Sequence, residues 1–267
     1  MMRLSCLFAF LVFWAPPLVA DEKVDRLADA MHLSQVMDIL VDEAMVQRLE
    51  LDETLLDNTG GAFFEAQVED IYDPVWMQER VTEAFERGLT DSQLDQAIVF
   101  FESDLGQTII SLENSARRAI SDEAIEEMAR EAYESTARDS VRYELVDEYI
   151  QINNLVEQNV EGSLSADFNF FRGLAYGELS DEGELLAELL SETDSKTEEA
   201  TTWLYSFLLL AYRPMDETQM RENIAFSRTD TGQAVNEALF DGFDQMFDSI
   251  SFRLGEAAAQ VLRGSDL

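Results

Sequence analysis

Apolar residues recur every three or four positions along nearly the whole chain, and no alternating stretch persists, so the pattern predicts an all-α protein. Val24, Leu27, Met31, Val36, Ile39, Leu40 and Met45 predict one long opening helix. Asp57-Asn58-Thr59-Gly60-Gly61 predicts a turn. Phe63, Phe64, Val68, Ile71 and Tyr72 restart the amphipathic pattern. Asp73 as N-cap and Pro74 at the first helical position open the next helix, which carries Val75, Trp76, Val81, Ala84 and Phe85 to a stop at Gly88. The apolar run at 202–212 reads as a buried central helix, because a helix apolar on all sides is normally core. The alternative is that it lines a cavity.

One part of the pattern occurs twice. The stretch that starts at Thr90 returns at Asp216, 126 positions later, with Gln93/Gln219, Ile98/Ile224, Phe100/Phe226, Asp104/Asp230, Gly106/Gly232 and Gln107/Gln233 identical. Thr90 with Gln93, and Asp216 with Gln219, predict capping boxes, and Pro214 ends the helix before the second. Ser103 and Thr229 predict a second cap in each stretch, so a short helix ends near Phe101 or Ser227 and a long one follows. Ile109, Leu112, Ile120, Ala124 and Met128 line one face of the first long helix, and Val235, Ala238, Met246, Ile250 and Leu254 line the second. Upstream, Val24, Asp25 and Leu33 correspond to Val146, Asp147 and Leu155 at an offset of 122. The predicted architecture is a signal peptide at 1–20 and two tandem related helical bundles, repeat 1 at 21–143 and repeat 2 at 144–267. Their boundary near Tyr143 is expected inside continuous helix, and 191–197 reads as an interhelical loop.

Phe100, Phe101, Ser103, Gly106 and Gln107, following a capped helix, resemble the motif of an exported bacterial family called domain of unknown function 2059. Phe226, Thr229, Gly232 and Gln233 match it a second time, with Ser227 in place of the second aromatic. The resemblance implies a signal peptide and a small all-helical domain, and no biochemical activity. The residues explain themselves without a ligand: Phe100 and Phe226 as buried anchors of the short helix, Gly106 and Gly232 as points of close approach or tight turning.

Composition adds a location and removes several functions. Arg3, an apolar stretch from Leu4 to Trp14, the break at Pro16-Pro17 and Leu18-Val19-Ala20 form a signal-peptide pattern, which predicts export to the periplasm. Cleavage after Ala20 would remove Cys6, the only cysteine, leaving no thiol chemistry. No other apolar run reaches the roughly 20 residues that span a bilayer, so no transmembrane segment is expected in the mature chain. The formal net charge of −37 repels nucleic acid and anionic lipid. It permits at most loose cation association, because Asp52 to Gly61 has apolar residues where a calcium loop needs ligands.

Catalysis finds no foothold. His32, the only histidine, sits between Met31 and Leu33 with no nucleophile context and reads as structural. Zinc needs several His or Cys ligands, and no phosphate-binding or dinucleotide glycine motif occurs. We therefore expect no enzyme and no catalytic, cofactor-binding or metal-binding residue. Two readings remain: a periplasmic helical scaffold working through contacts with a protein partner, and a carrier or chaperone for an apolar small molecule or lipid in a cavity between the repeats.

Overall fold

The computed structural model describes residues 18–176 and 182–265; these form thirteen α-helices, with no strand among the described residues. The all-α expectation holds. The segment read as a signal peptide lies outside the described residues up to residue 17.

Two helices, α1 (Leu18–Ala30) and α2 (Leu33–Thr54), stand where one was predicted. His32 interrupts them with φ 52°, in the left-handed region that His and Asn enter more readily than most residues. Val24, Leu27, Met31, Ile39 and Leu40 are nonetheless all buried. A one-residue kink changes the direction of the chain without changing which residues face inward, so periodicity did not reveal it.

The turn before α3 (Gly61–Ile71) holds Asp57, Asn58 and Gly61 at positive φ, and Asp52 Oδ1 accepts a hydrogen bond from Gly60 N at 2.8 Å. Asp73 caps α4 (Pro74–Gly88) by accepting from Trp76 N at 2.8 Å. Gly88 ends α4 without a left-handed turn, since the following Leu89 is extended. Its role is close packing: a Cβ there would lie 3.0 Å from Ala238 Cβ.

Both capping boxes form as predicted, opening α5 (Asp91–Phe101) and α12 (Glu217–Ser227). Ser103 Oγ accepts from Gly106 N at 3.1 Å to start α6 (Asp104–Ile120), and Thr229 Oγ1 accepts from Gly232 N at 2.9 Å to start α13 (Asp230–Ser265). The two long helices then differ. Asp122 stops the first by capping a new helix, α7 (Glu123–Ser135), so Ala124 and Met128 leave the predicted face and are exposed. The second continues for 36 residues.

Between these lie α8 (Val141–Ile152), α9 (Leu155–Leu174), α10 (Glu182–Ser191) and α11 (Thr193–Ala211). Tyr143 is helical, but the chain is not continuous helix across it: α7 ends at Ser135 and Ser140 caps α8. The stretch 191–197, read as a loop, is helical except at Glu192. Asn154 breaks α8 from α9 with φ 50°, 122 positions after His32 does the same to α1 and α2.

The buried apolar residues form two clusters, and each draws on both sides of Tyr143. The first joins α1 to α5 with Val235, Ala238, Met246, Ile250 and Val261 of α13. The second joins α8, α11 and α12 with Ile109 and Ala116 of α6. Each cluster is thus completed by a helix from the other side of Tyr143, α13 for the first and α6 for the second. α13 lies between α4 and α9, and glycine makes both approaches close. A Cβ on Gly242 would fall 2.9 Å from Val81 Cα of α4, and one on Gly255 would fall 2.1 Å from Phe170 O of α9.

Candidate functional site

The motif residues come together at the middle of the molecule. Phe100 and Phe226 were expected to be buried; both are half-buried and stack on each other, with ring centroids 3.7 Å apart and planes within 2°. The buried aromatic is Phe101, edge-on to both rings. Gly106 and Gly232 are both pressed against the end of the preceding helix, where a Cβ would meet Phe100 O at 2.3 Å and Phe226 O at 2.2 Å. Gln107 Nε2 donates to Phe101 O and Ala30 O; Gln233 Nε2 donates to Ser227 O and Ile152 O. These contacts tie helices together. His32 is half-buried at its helix break, away from any nucleophile arrangement.

A cleft of about 460 Å³ opens elsewhere, between α9, α11 and α13, with α6 and α8 at its floor. Trp203 and Phe207, one turn apart on α11, stack with centroids 5.0 Å apart and form one wall. Phe240, Phe243 and Phe247 recur along one side of α13 and form another. The apolar run 202–212 therefore serves both expected roles: Leu204, Tyr205, Leu208 and Ala211 are core, while Trp203 and Phe207 are half-buried and line the cleft.

Two carboxyl groups line this cleft and neither is ordinary. Glu113 of α6 accepts a hydrogen bond from the buried Tyr212 hydroxyl. Burial pushes the Glu113 carboxyl up to about 6, outweighing that hydrogen bond, which acts in the opposite direction. The same burial, with the charge of Glu113 beside it, holds the Tyr212 hydroxyl well above its ordinary range. Asp244 of α13 leans against α9 at Gly162, where a Cβ would lie 2.6 Å from Asp244 Oδ1. Burial, then the negative charges of Asp248, Asp241 and Glu161, push Asp244 up to about 6. Among the described residues Asp244 has no hydrogen-bond or ion-pair partner, whereas its neighbour Asp248 accepts from Ser165 Oγ at 2.7 Å. Arg117, which also lines the cleft, is engaged by both oxygens of Glu43 at 2.9 Å.

Among the described residues no group of three His, Cys, Asp or Glu side chains is placed to hold a metal ion, and no helix is long and apolar enough to cross a membrane. No nucleophile–base–orienter arrangement lines the cleft. What the arrangement supplies is an apolar, ring-faced space with acidic points. Of the cleft residues, sequence reasoning offered only those of the run 202–212, as an alternative cavity lining. The spacing of Phe240, Phe243 and Phe247 was visible, but a periodic aromatic stripe reads first as core.

The model of the family described as "Uncharacterized protein conserved in bacteria (DUF2059)" matches residues 76–134, from α4 through α7. That segment contains Phe100, Phe101, Ser103, Gly106 and Gln107, and it contributes Glu113 and Arg117 to the cleft. The aromatic walls on α11 and α13 lie outside it. No curated protein and no solved structure matches the chain.

Proposed function

We propose that this protein is an exported, non-catalytic carrier that holds an apolar small molecule in the cleft between α9, α11 and α13. The observation that carries the reading is the cleft itself, about 460 Å³ and walled by Trp203, Phe207, Phe240, Phe243 and Phe247. Small-molecule sites have this size and this mainly apolar lining with a few placed polar groups. Export rests on the N-terminal pattern, and a mature chain that starts at Asp21 keeps every residue of the cleft.

We further propose that residues 144–267 hold a second, diverged copy of the unit at 21–143. Its support is the set of paired local devices: two capping boxes, two left-handed breaks 122 positions apart, and two glutamines tying equivalent helix ends. The scaffold reading rests on less, chiefly the exposed Leu186 and Leu190 of α10.

Native mass spectrometry of the protein recovered from the envelope fraction of its own host tests the carrier reading. The expected spectrum shows a chain beginning at Asp21 with an added non-covalent mass that is released on activation. A bare polypeptide in every charge state would contradict the carrier reading, and a full-length cytosolic species would contradict export.

A further inference from the structure

The acidic points of the cleft narrow the class of ligand. We infer that the cleft selects a lipophilic organic cation: an apolar, ring-bearing molecule with a protonated amine, quaternary ammonium or phosphonium centre seated between the aromatic walls and the Asp244 carboxylate. This inference rests on the carrier reading and goes one step beyond it.

Three observations carry it. First, the walls are aromatic faces, which attract a desolvated cation through their negative quadrupole as well as by apolar contact. Second, Asp244 faces this space without a partner, and Asp241 and Asp248 on α13 with Glu161 on α9 surround it with negative charge. An anionic ligand would meet repulsion from each of these groups. A cation would instead relieve the unfavourable burial that already pushes Asp244 up to about 6. Third, the protein's own cations nearby are committed. Arg117 is held by Glu43, and Lys196, at the adjoining polar opening with Asn159, Ser163 and Trp203, is held by Asp167 at 2.6 Å. Among the described residues, neither of these positive charges is therefore free to neutralise Asp244. The formal net charge of −37 adds a long-range field that draws cations toward the surface and keeps anions away.

Calorimetric titration with three probes of similar bulk decides it: tetraphenylphosphonium, the near-isosteric anion tetraphenylborate, and neutral triphenylphosphine oxide. Using the intact, unsubstituted protein avoids dependence on any variant folding. The phosphonium should bind at least about tenfold tighter than the borate and measurably tighter than the oxide. Asp244→Asn should weaken the phosphonium about tenfold and leave the oxide unchanged. If the borate or the oxide binds as tightly as the phosphonium, the cation inference is overturned while the carrier reading stands. If the oxide and both ions fail to bind, the carrier reading falls with it.

Discussion

Where α6 meets α2 its side chains are polar and tied by hydrogen bonds and an ion pair, while the positions 126 residues later on α13 are aromatic and open to a cleft. Asn114, Arg117, Arg118 and Ser121 stand where the later stretch has Phe240, Phe243, Asp244 and Phe247. On α6 the polar groups fasten the helix to α2: Arg117 pairs with both oxygens of Glu43, and the Gln35 amide lies within hydrogen-bond reach of Asn114 and Arg118. On α13 Phe240, Phe243 and Phe247 line a cleft instead, and the contacts to α9 are made beside them, where Gly162 leaves room for Asp244 and Ser165 Oγ donates to Asp248. The two regions share caps and helix breaks but differ in what fills the seam beside the long helix. Similar caps and breaks thus accompany different seam chemistry, and the carrier reading rests on the α13 side, with Glu113 and Arg117 of α6 at the floor of the same cleft.

The largest expected effect lies where α9 and α13 cross. Gly255→Leu would drive a side chain into Phe170 O and Leu174 N, and should cost about 3 kcal/mol by overpacking, read as a lower midpoint in denaturant melting. The same change at Ala129, the position 126 residues earlier on α7, should cost no more than about 1 kcal/mol, because α7 sits at no comparable glycine crossing. Equal losses would mean that the two long segments are packed alike, against the comparison drawn above.

Next comes the aromatic junction. Phe100→Ala and Phe226→Ala should each cost about 2 kcal/mol, less than for fully buried phenylalanines, because both rings are half-buried. A double-mutant cycle should return a coupling of about 1 kcal/mol from the stacked pair. Strict additivity would show that the stack contributes nothing beyond separate burial.

The pH dependence is smaller and belongs to the cleft, which both raised carboxyl groups line. Glu113 and Asp244 are raised from 4.5 and 3.8 to about 6, so the folded chain holds protons in this interval that the unfolded chain has released. Their stabilising contribution is complete below about pH 4 and is lost as pH rises through about 6. Melting temperature should therefore fall between pH 5 and pH 7.5. Asp244→Asn should reduce that fall by on the order of 1 kcal/mol, a figure that allows for solvent screening of a half-buried group. A variant with an unchanged pH slope would remove Asp244 from this role.

The smallest effect comes from a pair of ion pairs. Arg26 meets Glu102, and Glu148, 122 positions after the first, meets Arg228, 126 positions after the second, with the charges in the opposite order. Both pairs lie at the surface, where solvent screens them, and a double-mutant cycle on either should give little or no coupling. Exchanging the charges within one pair, Arg26→Glu with Glu102→Arg, should leave the melting temperature unchanged. A drop of several degrees would show that the two surroundings are not interchangeable.

These cases also show how far the sequence could be read. Thr90–Gln93, Asp216–Gln219 and Asp73–Pro74 were legible because a cap is made by residues three apart and needs no partner elsewhere. The breaks at His32 and Asn154 were not, since a single left-handed residue leaves the apolar period intact on both sides. Nor was the pairing of α13 with α4 and of α6 with α11, because an apolar face records that it is buried but not which helix covers it. Glu113 and Asp244 were hidden for a simpler reason. They are two among 55 acidic residues, and only the folded structure removes them from water.

The central claim is that the cleft beside α13 holds a ligand and the seam between α6 and α2 does not. A crystal structure of the protein purified from its own host tests this most directly. The account predicts density from a bound molecule between Trp203 and Phe243, in reach of Asp244, with the Arg117–Glu43 seam closed as described. A cleft collapsed onto its own phenylalanines, or filled by ordered water alone, would contradict it.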